Sequence, residues 1–230
     1  MIEIRAVGRH QIGSIMIKQD LQKVMLIDTY VGAPFNMRKF RPLNPFFTWQ
    51  KPFLPVPGCP AYQSRSIEAI WQGTKLIAGT IDDKQFMTFP YKRPSEALRR
   101  IDRNFSYKNT NFIYNQEIIN LAEARFLIYL TSYLFLLNSV VPQSLIYFLK
   151  RNIMQNISML FYDWDENMDI MEVNESFSHS AILASWFKGT LQEDFLPKAK
   201  FSLSKKHYNI FHNEFHNLIT RYNFIHEKFR

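Results

Sequence analysis

The chain has 230 residues, 47% hydrophobic and 21% charged, with a formal net charge of +8. That balance excludes a disordered tail or a fibrous repeat and suits one large domain or a domain with an appendage. Seven glycines, at 8, 13, 32, 58, 73, 79 and 189, supply neither GxGxxG nor GxxxxGK[ST], so dinucleotide-binding and P-loop phosphate cradles are out. The single Cys59 excludes a disulfide framework and a CxxC zinc site and fits a reducing, cytoplasmic compartment.

Residues 2–7 and 24–29 (VMLIDT) read as strands by apolar and β-branched content, with a short helix between them around 11–22. The stretch 32–62 holds seven prolines together with Phe and Trp, which predicts a long loop that packs and is not a tether. A helix over 66–78 follows, with Ser64 or Ser66 as N-cap and Glu68 in its first turn. Helices are predicted over 95–103, 115–138 and 142–151, a strand over 158–163, and a helix over 179–189 closed by Gly189. The N-terminus has no apolar run of the secretory kind. Segment 126–149 carries no formal charge, but Pro142 should break it near residue 140. Its dense apolar part is too short to span a bilayer, so a buried core helix is expected and no membrane.

Tyr208, Phe211, Phe215, Leu218, Tyr222, Ile225 and Phe229 recur at spacings of three and four. Such a stripe is either a terminal helix packed on the domain or a homodimer seam through 205–229. His212 and His216 lie at i and i+4, but the nearby Glu is at 214 and no third ligand is evident, so no metal is expected. No cofactor is expected either. Charge is local. Residues 84–108 hold seven basic and two acidic groups, and 163–175 hold six acids and no base. The net charge attracts polyanions, either nucleic acid or a phosphate-bearing small molecule. So compact an acidic block argues against a protein that merely coats DNA.

On a helix, Glu68, Gln72 and Lys75 form one polar stripe. It is either an ordinary solvated face or, because it begins directly after the aromatic loop, the border of whatever that loop encloses. Asn44-Pro45-Phe46-Phe47, then Ser66-Ile67-Glu68, Trp71-Gln72 and Lys75, resemble the NADAR superfamily of YbiA-like N-glycosidases. The likeness is closest to a sister group with S-P-F-Y and S-V-E-x-I-W-Q-G-L-K motifs. That group's A-R-x-x-I-Y-x-x-x-Y helix is echoed by Ala124, Arg125, Ile128, Tyr129 and Tyr133. Its acidic strand end and L-S-H-A-A-L helix are echoed by Phe161-Tyr162-Asp163 and Phe177-Ser178-His179.

The resemblance implies a helix-rich α+β fold with a small sheet, a catalytic domain over 1–190 and a helical extension over 191–230. It implies cleavage of the N-glycosidic bond of an ADP-ribose- or nucleotide-type substrate; known activities in the family act on riboflavin-pathway intermediates and on ADP-ribosylated guanine. On the matching positions it makes Glu68 the catalytic carboxylate and Lys75 a phosphate-binding, orienting or Schiff-base amine, with Asp163 a further catalytic candidate. Trp71, Phe46, Phe47 and Trp49 are candidates to stack on a base, and Arg125 and the basic 92–103 segment to clamp phosphate. Asn44, Gln72, Ser178 and His179 complete the substrate-binding set, His179 being equally readable as an ordinary residue behind a Ser178 cap. Ala69 stands where the family has His, Pro45 replaces the Asn of F-S-N-F, and the glycine-rich ending of the YbiA branch is missing. The site is therefore either rebuilt, with Asp163 and His179 substituting, or inactive, and the other reading is a nucleic-acid- or nucleotide-binding protein that keeps the fold.

Overall fold

A computed structural model describes residues 2–18, 23–30, 32–89 and 93–227. In chain order the elements are β1 (Ile4–Ala6), α1 (Ile12–Lys18), β2 (Val24–Asp28), β3 (Leu54–Pro55), β4 (Gln63–Ser64), α2 (Ile67–Gly73), α3 (Arg93–Ile101), β5 (Phe112–Tyr114) and β6 (Glu117–Ile119). Then come α4 (Leu121–Ala124), a π-helical turn Arg125–Leu130, α5 (Thr131–Ser139), α6 (Gln143–Met154), β7 (Ser158–Tyr162), α7 (His179–Lys188), α8 (Leu191–Ser202) and α9 (Lys205–Glu227). The fold is helix-rich α+β. Its contacts divide the chain into two interleaved units, one of residues 1–44 and 141–197, the other of 45–140 and 198–230. The sequence boundary near residue 190 follows chain order, whereas each unit draws residues from both sides of it.

In the first unit, β1, β7 and β2 form a parallel sheet with β7 central and buried along its whole length. Both faces of β7 are covered, which explains why SMLFY reads as an unbroken apolar run instead of alternating. Leu160 and Tyr162 pack with Val7, Ile12 and Ile15 on one face. On the other, Phe161 stacks on Phe187 of α7 at 5.3 Å. Ser178 caps α7 by accepting from Ser180 N, and Gly189 closes it with φ 84°, as the sequence predicts. Of the helix expected over 11–22, residues 19–22 lie outside the described residues.

The second unit is built on the run from α4 through α5, whose residues 124–134 are buried. Phe126 meets Phe211 edge-on at 5.7 Å, Phe211 meets Phe215, and Asn138 Nδ2 donates to the Leu218 carbonyl at 2.8 Å. The described part of the terminal stripe thus packs α9 on α5. The side chains of Tyr222 and Ile225, and all of Phe229, lie outside the described residues. The helix expected over 115–138 starts only at Leu121. Asn115 and Gln116 take φ 49° and 66°, turning β5 into β6, and Asn120 with Glu123 then forms a capping box. The break at residues 140–142 falls where Pro142 places it, and among the described residues no single helix is long and apolar enough to cross a membrane.

Gly58 (φ 70°) lies under the turn. A Cβ there would stand 2.5 Å from Tyr114 Cδ2 and 2.7 Å from Asn115 N. Gly58→Ala is expected to cost about 2 kcal/mol, from the left-handed backbone and the clash together. The check is urea unfolding, with a lower midpoint at an unchanged m value.

Candidate functional site

α2 begins at Ser66, whose Oγ accepts from Ala69 N at 3.0 Å, and it ends earlier than the predicted residue 78. Thr74 Oγ1 bonds the Ile70 carbonyl, and the chain beyond it pairs Lys75 with Phe112 and Ile77 with Thr80. Lys75 nevertheless stays on the stripe. Gln72 Nε2 donates to Glu68 Oε1 at 2.5 Å, and Lys75 Nζ donates to Gln72 Oε1 at 2.8 Å. Glu68, Gln72 and Lys75 are 6%, 3% and 2% exposed, so the solvated-face alternative is excluded. Burying a carboxylate and an ammonium is costly unless they are paired and hydrogen-bonded, and here a glutamine links them.

The aromatic candidates divide. Trp71 is core: its ring lies 4.3 Å from Phe112 and 5.5 Å edge-on from Tyr129, with Lys75 Nζ 6.0 Å from the ring centre. Phe47 and Trp49 meet edge-on at 4.6 Å, and with Phe46 they are only half-buried. Arg125 is buried and opens the π-helical turn, a backbone irregularity frequent at functional sites. Of the basic segment, Lys84, Arg99, Arg100, Arg103 and Lys108 are exposed; Lys92 and the Arg93 side chain lie outside what the structure describes.

The first unit gathers Asn44, Asp163, Ser178 and His179 at the carboxyl end of its sheet. Asp163, just past β7, faces His179 Nδ1 at 2.7 Å, and His179 Nε2 lies 2.5 Å from Thr29 Oγ1, just past β2. A carboxylate only accepts, so Nδ1 carries a proton and donates to Asp163, while Nε2 and the Thr29 hydroxyl share the second hydrogen bond. Ser178 Oγ (2.8 Å), Ser180 Oγ (3.4 Å) and Asp165 N (2.5 Å) also donate to Asp163. Burial pushes the Asp163 carboxyl up. The His179 charge and hydrogen bond, Ser178 and the Asp165 amide outweigh it and hold the group below the ordinary carboxylate value. Asn44 Nδ2 donates to the Thr29 carbonyl.

The line Asp163–His179–Thr29 has the order of a nucleophile triad, but its chemistry differs. Thr29 is wholly buried, and the neighbouring amides are engaged, Thr29 N with the Tyr162 carbonyl and Tyr30 N with Asp28 Oδ1. Neither of these two amides is left to serve an oxyanion at Thr29. The line pins the ends of β2 and β7 to the start of α7. Thr29 escapes sequence reasoning; the usable signal is its place at the end of a strand in a parallel sheet, where such sheets build sites.

A family model described as a family of unknown function, DUF6939, matches residues 10–183. The chain belongs to DUF6939. Both clusters lie within the matched DUF6939 region, whereas α9 lies beyond it. No curated protein and no solved structure matches the chain.

Two further groups lie outside the sequence expectations. His207 Nδ1 and Nε2 face Glu123 (2.8 Å) and Glu117 (3.2 Å), and Lys206 also pairs with Glu117. Burial brings Lys150 down to about 8, with its Nζ 5.2 Å from the Trp186 ring centre. Among the described residues no group of three or more His, Cys, Asp or Glu side chains is arranged to hold a metal ion.

Proposed function

We propose that the protein is an N-glycosidase of the NADAR type, cleaving the bond between a base and a phosphorylated ribose in an ADP-ribose- or nucleotide-type substrate. The observation that carries the reading is the buried line Glu68–Gln72–Lys75. Cleavage of such a bond passes through an oxocarbenium-like state, and a carboxylate held in a dry, fixed position stabilises that positive charge or activates the incoming water. Gln72 fixes Glu68 and directs the Lys75 ammonium, whose chemistry suits a phosphate or an opened sugar. The half-buried Phe46, Phe47 and Trp49 of the preceding loop are the rings proposed to meet the base. The test is a substrate panel of ADP-ribosylated guanine in DNA, free nucleotide sugars and riboflavin-pathway intermediates, followed by chromatography for released base. Release from one of them is expected; none from any would contradict the proposal.

The exposed Arg99, Arg100 and Arg103, with Lys84 and Lys108, favour a second reading, a nucleic-acid-binding role. On it, log affinity for a DNA duplex falls linearly with log salt concentration, and replacing Arg99 and Arg100 together by Ala lowers the slope by about 2. An affinity indifferent to salt would end this reading.

A further inference from the structure

We propose that the carboxyl edge of the parallel sheet is a binding site for a planar heteroaromatic ring, neutral or cationic, with Trp164 as its stacking surface. Trp164 follows β7 and is 68% exposed, while Trp71 is 7% and Trp186 0% exposed. An indole left in water forgoes a large burial gain. This one is also held in place. Its ring lies 5.7 Å from that of Tyr30. Tyr30, itself 38% exposed, lies close beside Gly32, where a Cβ would come within 2.5 Å of Tyr30 Cε1, and the Arg9 guanidinium lies 5.5 Å from its ring centre. Arg9 is fixed by Asp28, its Nη2 donating to both carboxylate oxygens at 2.8 and 2.9 Å. Rigid rings of this kind lose little freedom when a ligand arrives.

The place is the one where open parallel sheets hold ligands, outside the carboxyl ends of the strands. The Asp163–His179–Thr29 line beneath keeps two of those ends together. Charge selects the ligand class. Trp164 lies in the stretch 163–175, which holds six acids and no base; beside it Glu166 faces His10 Nδ1 at 2.5 Å, and the nearby cation Arg9 is paired with Asp28. The edge therefore repels phosphate and carboxylate, and a ring that is neutral or positive gains from the indole face. The inference goes beyond the N-glycosidase reading and does not depend on it.

The experiment is tryptophan fluorescence of the full chain titrated separately with guanosine, N-methylpyridinium and benzoate. Saturable quenching by guanosine and N-methylpyridinium in the millimolar range is expected, with none by benzoate and loss of the quenching in Trp164→Leu. The side chain is exposed, so that variant should fold. Quenching that survives Trp164→Leu, benzoate acting as well as the cation, or no saturable quenching would overturn the proposal. A ligand-free change with protein concentration would also overturn it, because a second copy would then cover Trp164. Base release by the Glu68 cluster is assayed separately, so failure of one claim leaves the other standing or falling by itself.

Discussion

Replacing Asp163 by Asn is expected to destabilise the protein by about 3 kcal/mol, as breaking a buried ion pair does. For a chain of this length that lowers Tm by about 6–12 °C. Asn preserves shape but removes the charge that faces His179 at 2.7 Å, and it exchanges one acceptor oxygen for a donor among Ser178, Ser180 and the Asp165 amide. The pH dependence identifies the cause. The folded-state pKa of Asp163 lies below its unfolded value, so its contribution is fully present above the unfolded pKa of about 3.9 and disappears as pH falls through the folded value. The part of the stability gap between wild type and Asp163→Asn that comes from the carboxylate should be fully present at about pH 5 and shrink below about pH 4. Urea unfolding across pH measures it; a gap that instead opens on acidification would refute the assignment.

On the proposed N-glycosidase reading, replacing Glu68 by Gln should lower kcat for base release about 10³-fold with KM little changed. The carboxamide introduced by Glu68→Gln can still accept from Gln72, so the local fold survives while the charge opposing the oxocarbenium-like state is lost. Lys75→Met removes the donor to Gln72 Oε1 and should lower the rate as well, with a larger effect on KM if the ammonium meets phosphate. Steady-state kinetics of both variants separates these roles. A Glu68→Gln enzyme as fast as wild type would remove the carboxylate from the mechanism.

What can be read in the sequence is local. Ser66 and Ser178 announce helix starts, Gly189 a helix end and Pro142 a break, because each acts on backbone within a few positions. The apolar runs of β2 and β7 are continuous enough to register as strands. The hairpin 112–119 is hidden because its turn uses Asn115 and Gln116 in the left-handed region, where glycine would have given notice. The interleaving of the two units is nonlocal, as is the pairing of Thr29 with His179, 150 positions apart. The polar stripe of Glu68, Gln72 and Lys75 is visible, but a pattern of period 3.6 looks the same on a solvated face and on a buried one. Only packing decides that. Conversely, Trp71 reads as a base-stacking residue and lies in the core, since its indole meets Phe112 and Tyr129.

The most direct measurement of the central claim follows the oxygen. Cleavage is run in ¹⁸O-labelled water with whichever panel substrate releases a base, and both products are weighed by mass spectrometry. Hydrolysis at the anomeric carbon by a Glu68-activated water predicts one ¹⁸O in the released sugar and none in the base. Label in the base or in a phosphate, or no base released from any substrate, would contradict the account.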